Sequence, residues 1–252
     1  DYTRSLGGLY FDNSVRLEPT EVAGFNQAWR SLLPDSVTGQ VPGTEFETAG
    51  VGFDQALRTG THFGFALEWL RSEGDRVVGA LGNSLPVPVP DSPTSTRQTL
   101  DGEIRQASAY VVQALGDGFS AGVRYAIEEA TLTSRLPDLP RDVIGLDQVE
   151  QDERAVLDRV ALTLTYQHPR GGFGEWESTW YRQSTDGFEP VRPVAEFWQH
   201  NVWIGWRFAA RRAEVRLGVL NLADQDYRLT PLNAYRSLPR ERTFVVSLRL
   251  NF

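Results

Sequence analysis

Arg242-Thr-Phe-Val-Val-Ser-Leu-Arg-Leu-Asn-Phe252 closes the sequence and decides how the rest of it is read. Phe244, Val246, Leu248, Leu250 and Phe252 fall on one face of an extended chain. Thr243, Ser247, Arg249 and Asn251 fall on the other, with Val245 the exception. A helix would scatter these residues around its circumference, so the period is two and the element a strand. It runs for about ten residues, the length that spans a bilayer when tilted.

Upstream the pattern repeats. Val202, Ile204, Trp206 and Phe208 alternate with Asn201, Trp203, Gly205 and Arg207, and Ala213, Val215, Leu217 and Val219 with Glu214, Arg216 and Gly218. Val160, Leu162, Leu164 and Tyr166 alternate with Arg159, Ala161, Thr163 and Thr165. Phe119–Ile127 and Phe63–Trp69 behave likewise, and 20–32, 46–58, 102–114 and 173–183 are weaker candidates. The spacing therefore predicts ten strands. Connections near 33–45, 72–100, 130–152, 184–195 and 224–240 read as long. Those near 59–61, 115–118, 168–172 and 209–212 read as short, with turn formers such as Gly116-Asp-Gly118. Long and short alternate along the whole chain, the layout of an outer-membrane barrel with tight periplasmic turns and longer external loops.

Composition narrows the reading further. The 252 residues carry a net charge of −8, which argues against a broad nucleic-acid-binding face. All 25 basic residues are arginine, and the absence of Cys removes disulfides, zinc–cysteine sites and thiol nucleophiles. Met is absent even from position 1, which points to a processed chain or a segment of a longer one. No apolar run is long enough for a transmembrane helix, but a transmembrane barrel needs none. A soluble β-sandwich, such as a secreted carbohydrate-binding module, would also alternate. Aromatics near strand ends favour the barrel, with Trp69, Tyr166, Trp198, Trp203 and Trp206 as its interfacial girdle.

One segment carries a likeness to a known family. Gly218-Val-Leu-Asn-Leu-Ala-Asp-Gln-Asp-Tyr227, followed by Pro239-Arg-Glu-Arg-Thr-Phe244 and a final Phe252, resembles the end of TonB-dependent outer-membrane receptors. The matching residues are Asn221, Leu222, Asp224, Tyr227, Pro239, Arg240 and Phe252, and the resemblance covers about 50 residues. Leu17-Glu-Pro-Thr-Glu-Val-Ala-Gly-Phe-Asn-Gln27 is similar to the opening of barrels at the C-termini of some bacterial tetratricopeptide-repeat proteins. The resemblance implies that Phe244, Val246, Leu248, Leu250 and Phe252 form the terminal strand that the barrel-assembly machinery recognises. Receptor-type uptake does not carry over. A barrel of about 22 strands with a plug domain does not fit this length, and no energy-coupling box stands at the N-terminus.

Strand alternation puts Glu68, Arg124, Glu128, Arg159, Glu175, Glu177, Arg207, Glu214, Arg216 and Arg249 on the inner face. A barrel of about ten strands is only slightly wider than the eight-strand case that side chains nearly fill. A largely occluded lumen cross-linked by Arg–Glu contacts is expected. The Pro-rich stretch 82–93 suits an extended docking loop, and acidic 138–153 a solvated one without an EF-hand pattern. His62, His168 and His200 show no metal-ligand spacing. His200, beside Trp198, is the sole candidate for lipid-face catalysis, and no motif places a Ser or Asp with it.

The expectation is an all-β chain forming an antiparallel transmembrane β-barrel of about ten strands in the bacterial outer membrane. Residues 17–252 make the barrel and residues 1–16 a lead-in, or an extra hairpin that would bring the count to twelve. It is expected to be a non-enzymatic anchor or assembly component, without cofactor or metal. Its partners would be outer-membrane lipids, the barrel-assembly machinery and a periplasmic repeat domain or surface complex, with no nucleic acid. A transport barrel, porin-like or the last part of a receptor, is the alternative.

Overall fold

The structure is a computed structural model that describes residues 2–6, 21–22, 25–26, 44–82, 92–139, 149–188, 190–208, 213–230, 232–233, 238 and 240–250. Twelve strands are seen there: β1 (Tyr2–Leu6), β2 (Glu21–Val22), β3 (Phe25–Asn26), β4 (Glu45–Ala56), β5 (Thr61–Gly82), β6 (Ser92–Gly116), β7 (Phe119–Arg135), β8 (Glu150–Gln167), β9 (Gly172–Asp186), β10 (Ala195–Phe208), β11 (Ala213–Leu220) and β12 (Thr243–Leu250). No helix is long and apolar enough to cross a membrane, which says nothing about strands.

Nine consecutive strands, β4 to β12, form one antiparallel meander in chain order, and β1 adds to the free edge of β4. Every neighbour in the sheet is therefore a sequence neighbour except at the β1–β4 step. The short connections hold at one end. Gly116, Asp117 and Gly118 all have positive φ, the backbone that a tight hairpin turn requires and that Gly and Asp tolerate.

Two expectations need correction. The first strand of the sheet is β1, paired from Tyr2↔Ala49 to Leu6↔Glu45, and not 20–32. The described part of that segment, β2 and β3, pairs only with itself. Of residues 1–16, the described Tyr2–Leu6 join the sheet as a strand beside β4.

Both ends of the links at 72–100 and 130–152 are strand. β5 and β6 stay paired from Thr61↔Gln113 to Gly82↔Ser92, and β7 and β8 from Phe119↔Tyr166 to Arg135↔Glu150. The reason is a change of phase. On β7 the apolar residues Val123, Tyr125 and Ile127 face one side, while Ala130 and Leu132 face the other. A reading that follows one apolar face stops where that face becomes polar.

β1 and β12 are the two edges of the sheet, and no ladder joins them among the described residues. The sheet is not closed.

Register fixes which side chains share a face. The first face carries Val51, Phe53, Phe65 and Leu67, then Ala107, Ala109 and Val111, then Val123 and Tyr125. It continues through Leu162, Leu164 and Trp176 to Val202, Ile204, Leu217, Val246 and Leu248. The second face carries the glycines, hydroxyls and charges.

The buried core lies on that second face, toward the long-link end. One cluster joins Leu70, Leu100, Ile104, Ala130, Leu132 and Ala155 to Phe188 and Leu232, which come from links. The other joins Leu157, Tyr181 and Phe197 to Tyr227 and Leu229 of the segment between β11 and β12. That segment therefore folds back against the polar face, where its apolar side chains leave water.

Candidate functional site

Three parts of the molecule stand out: the apolar face, the ionic part of the opposite face and the folded-back link. On the apolar face, large side chains lie open from β4 to β12. Phe244 and Val246 are 76% and 75% exposed, and Phe53, Phe65, Leu164, Ile204, Trp206 and Leu217 are exposed too. On β10 this face runs from Trp198 to Phe208, ~34 Å of chain, or ~24 Å of height at a tilt near 45°. A patch of this extent far exceeds what soluble monomers expose.

Its upper border is sharp. The Trp69 indole donates to Glu103 Oε1 at 2.7 Å, the Trp180 indole to Glu196 Oε1 at 3.2 Å and the Tyr125 hydroxyl to Asp158 Oδ1 at 2.7 Å. Above that line the same side of the sheet is charged, with ion pairs Arg105–Glu103 at 2.7 Å and Arg154–Glu129 at 2.6 Å, and Arg71 against Glu73. The hydrogen bond from Arg105, joined by that from Trp69, holds the Glu103 carboxyl below its usual range despite partial burial. Trp69, Trp198, Tyr166 and Trp206 all sit on the apolar side, as the girdle reading requires, and Tyr166 packs on Phe119 at 4.5 Å. Trp203 does not. It pairs with Glu175 and Gly218 on the polar side, because odd positions of β10 face inward with the charges.

On the polar side, arginines rest on aromatic rings. Arg216 lies 3.9 Å from the Trp203 ring centre, Arg207 4.4 Å from Phe173 and Arg124 5.4 Å from Tyr110. Each ring lies against a cross-strand glycine. A Cβ at Gly218 would strike the Trp203 indole, at Gly205 the Phe173 ring and at Gly64 the Tyr110 ring. Carboxylates complete each stack: Arg216 Nη2 to Glu175 at 2.9 Å, Arg207 Nε to Glu214 at 2.8 Å, and the Tyr110 hydroxyl to Asp54 at 2.5 Å. Ring contact and a charge-assisted hydrogen bond together fix the Arg207 and Arg216 guanidinium planes, whereas in the third stack the carboxylate holds the ring beneath Arg124.

Higher up, Glu128 is fully buried, with Arg159 Nη2 3.9 Å away. Glu68 and Arg249 share the face, opposite Gly50 and Glu214 respectively. Within the expected charge network, Arg159–Glu128 and Arg207–Glu214 join adjacent strands, while Arg216 reaches across β10 to Glu175.

The folded-back link begins at Asn221, which is fully buried and takes a positive φ of 51°. Its side chain accepts from the Gln225 amide at 2.8 Å and donates to the carbonyls of Gln225 and Arg240, so it clasps both ends of the link. Asp224 accepts from the Arg242 amide at 2.8 Å, and Arg242 Nε donates to the Leu222 carbonyl. Tyr227 donates to the Leu238 carbonyl at 2.7 Å beneath the Arg240 guanidinium. The receptor-like motif residues are therefore the frame of this link; Pro239 and Phe252 lie outside the described residues. Deeper in, Gln183 donates to Asn233 Oδ1 at 2.9 Å and accepts from the Thr230 amide at 2.6 Å. Asn233 donates to the carbonyls of Glu128 and Ala155.

Sequence reasoning did not single out Asp54, Tyr110, Phe173, Gln183, Thr230 or Asn233. An inward aromatic opposite a glycine was the available signal for Tyr110 and Phe173. The link residues have none, since their partners lie on distant strands.

His200 Nδ1 lies 2.8 Å from Ser178 Oγ, with the imidazole between the near-parallel rings of Trp176 and Trp198. Ser178 is 2% exposed, so the pair satisfies two polar groups within an apolar face. Among the described residues no cluster of His, Asp and Glu has the form of a metal site. Compared with protein-family models, curated proteins and solved structures, the chain matches none.

Proposed function

We propose that the chain is an outer-membrane β-barrel whose sheet closes through antiparallel pairing of β12 with β1, and that it serves as an anchor or assembly element with an occluded lumen. Ten strands in a meander leave the two edges running in opposite directions, as antiparallel closure needs. One observation carries the reading. Along single unbroken strands, the apolar side chains sit on one side below the Trp69–Tyr125–Trp180 line and on the opposite side above it. A sheet bathed in water at both ends has no cause to exchange its faces. A sheet whose lower part meets hydrocarbon and whose upper part meets water must do so.

Occlusion rests on the described part of the link between Asn221 and Arg242, packed under the upper strands, and on the stacked arginines below it. A role in conduction would need both displaced. Anchoring needs neither to move, which favours a barrel that holds a periplasmic repeat domain or a surface complex at the membrane.

The test uses the full chain. It should stay in the membrane fraction after alkaline wash, need detergent to remain monodisperse, and migrate faster unheated than heated on denaturing gels. Cysteines scanned along 2–6 against 243–250 should cross-link, cleanly, since the chain has no native Cys. In planar bilayers the current should be small and intermittent. A large steady current would replace anchoring by transport, and a monodisperse protein in plain buffer would overturn the membrane reading.

A further inference from the structure

At the short-turn end of the polar face, β8 to β12 surround a cavity of about 40 Å³, room for about three water molecules. Arg207, Arg216 and Arg249 reach it, as do Glu175, Glu214 and Gln167. Among the described residues the charges do not cancel: three guanidiniums meet two carboxylates. Glu177, the next acid up the same face, accepts from Thr179 at 3.4 Å.

Donors also outnumber acceptors, since each guanidinium carries five N–H groups. Arg207 gives Nε to Glu214 and Nη1, at 3.4 Å, to Gln167. Arg216 gives Nη2 to Glu175, and its Nε is buried with no partner. Arg249 makes no hydrogen bond or ion pair with any described residue; its register partner Glu214 is engaged by Arg207. A buried unpaired donor costs about 1–3 kcal/mol, and an acceptor supplied from outside removes that cost.

We propose that this cavity binds a small oxyanion, of phosphate or carboxylate type, reaching it from the short-turn side. The rings of Phe173 and Trp203 hold two guanidinium planes in place before any ligand arrives, so little side-chain freedom is lost on binding. Every residue involved lies on β8 to β12, so the site stands whether or not the sheet closes.

Trp203, directly under Arg216, is a built-in reporter. The detergent-solubilised full chain is titrated with sodium phosphate and, separately, sodium acetate, against sodium chloride at matched pH and ionic strength. Tryptophan fluorescence is followed, and Trp203→Phe identifies the signal. A saturable change with phosphate, acetate or both, and none with chloride, is expected. A response to phosphate alone assigns a tetrahedral ligand, and one to acetate a carboxylate. Arg249→Gln, at an exposed side chain that makes no hydrogen bond or ion pair with any described residue, should raise the half-saturation concentration at least about tenfold, the loss of one charge-assisted hydrogen bond. Arg170→Gln, the same charge change in a neighbouring turn, should leave it unchanged. No saturable response to either oxyanion, an equal response to chloride, or an unchanged half-saturation in Arg249→Gln would overturn the proposal.

Discussion

The lower and upper parts of the same strands are built with opposite sidedness. Below the line of Trp69, Tyr125 and Trp180, β5 to β12 turn Phe65, Leu164, Ile204 and Leu217 outward and Arg207, Arg216 and Glu175 inward. Above it, Glu103, Arg105, Glu129 and Arg154 face outward, while Leu70, Ile104, Leu132, Ala155 and Leu157 form the buried clusters. Backbone pairing runs through the border without interruption. The difference teaches that hydrogen bonding sets the sheet, whereas the surroundings of each stretch set which residues it turns where. In the membrane reading the border is the upper edge of the bilayer.

The comparison can be broken most forcefully in the upper core. Leu157 is fully buried against Tyr181, Phe197, Tyr227 and Leu229. Leu157→Ala should destabilise the folded protein by about 2–5 kcal/mol in urea titrations from detergent or vesicles. Leu164→Ala, on the outward face seven residues on, should cost no more than about 1 kcal/mol. Equal costs would contradict a difference between the two parts.

A charge probes the outward face directly. Leu217→Arg, in the middle of the apolar band, should cost about 2–4 kcal/mol in vesicles. Thr131→Arg lies on the same side of the sheet but above the border, opposite Glu103 and Arg154. It should stay within about 0.5 kcal/mol, and a matching penalty would abolish the border.

The clasp comes next in size. Asn221→Ala strips the link of one acceptor and two donated hydrogen bonds in a buried position, a loss of about 1–3 kcal/mol. Trypsin cleavage after Arg228 should accelerate with it.

Smallest is the pH effect of Glu103, which lies above the border. Its folded pKa is depressed, so its contribution is complete above the unfolded value near pH 4.3 and fades as pH falls through the lower folded value. Glu103→Gln should remove that acid-side slope while changing neutral-pH stability by less than about 1 kcal/mol, since the pair is partly exposed.

Much of the lower part was legible in the sequence, because period-two alternation with one wholly apolar set is a local signal. Phe244 to Leu250, Val202 to Phe208 and Val160 to Tyr166 lie where the alternation put them. The upper part was not legible as strand. There the outward set is charged and the inward set mixes Leu70 and Ile104 with Gly102 and Ser72, so neither set reads as apolar. The inward charges were found as a face, but their pairing was not. Which arginine meets which acid depends on register, and the seat for each ring depends on a glycine one strand away. Asn221, Asp224 and Tyr227 were visible as a motif. What they do, holding a link folded back under the sheet, depends on Gln183 and Asn233, which no spacing connects.

The folded-back link bears on how the sheet would close. Tyr227, Leu229 and Leu232 occupy space among the upper strands. If the sheet closes as proposed, a segment so placed, tethered at both ends by neighbouring strands, fills the upper mouth of the cylinder, and a seam at β12 has to form around a stopper that β12 itself carries in.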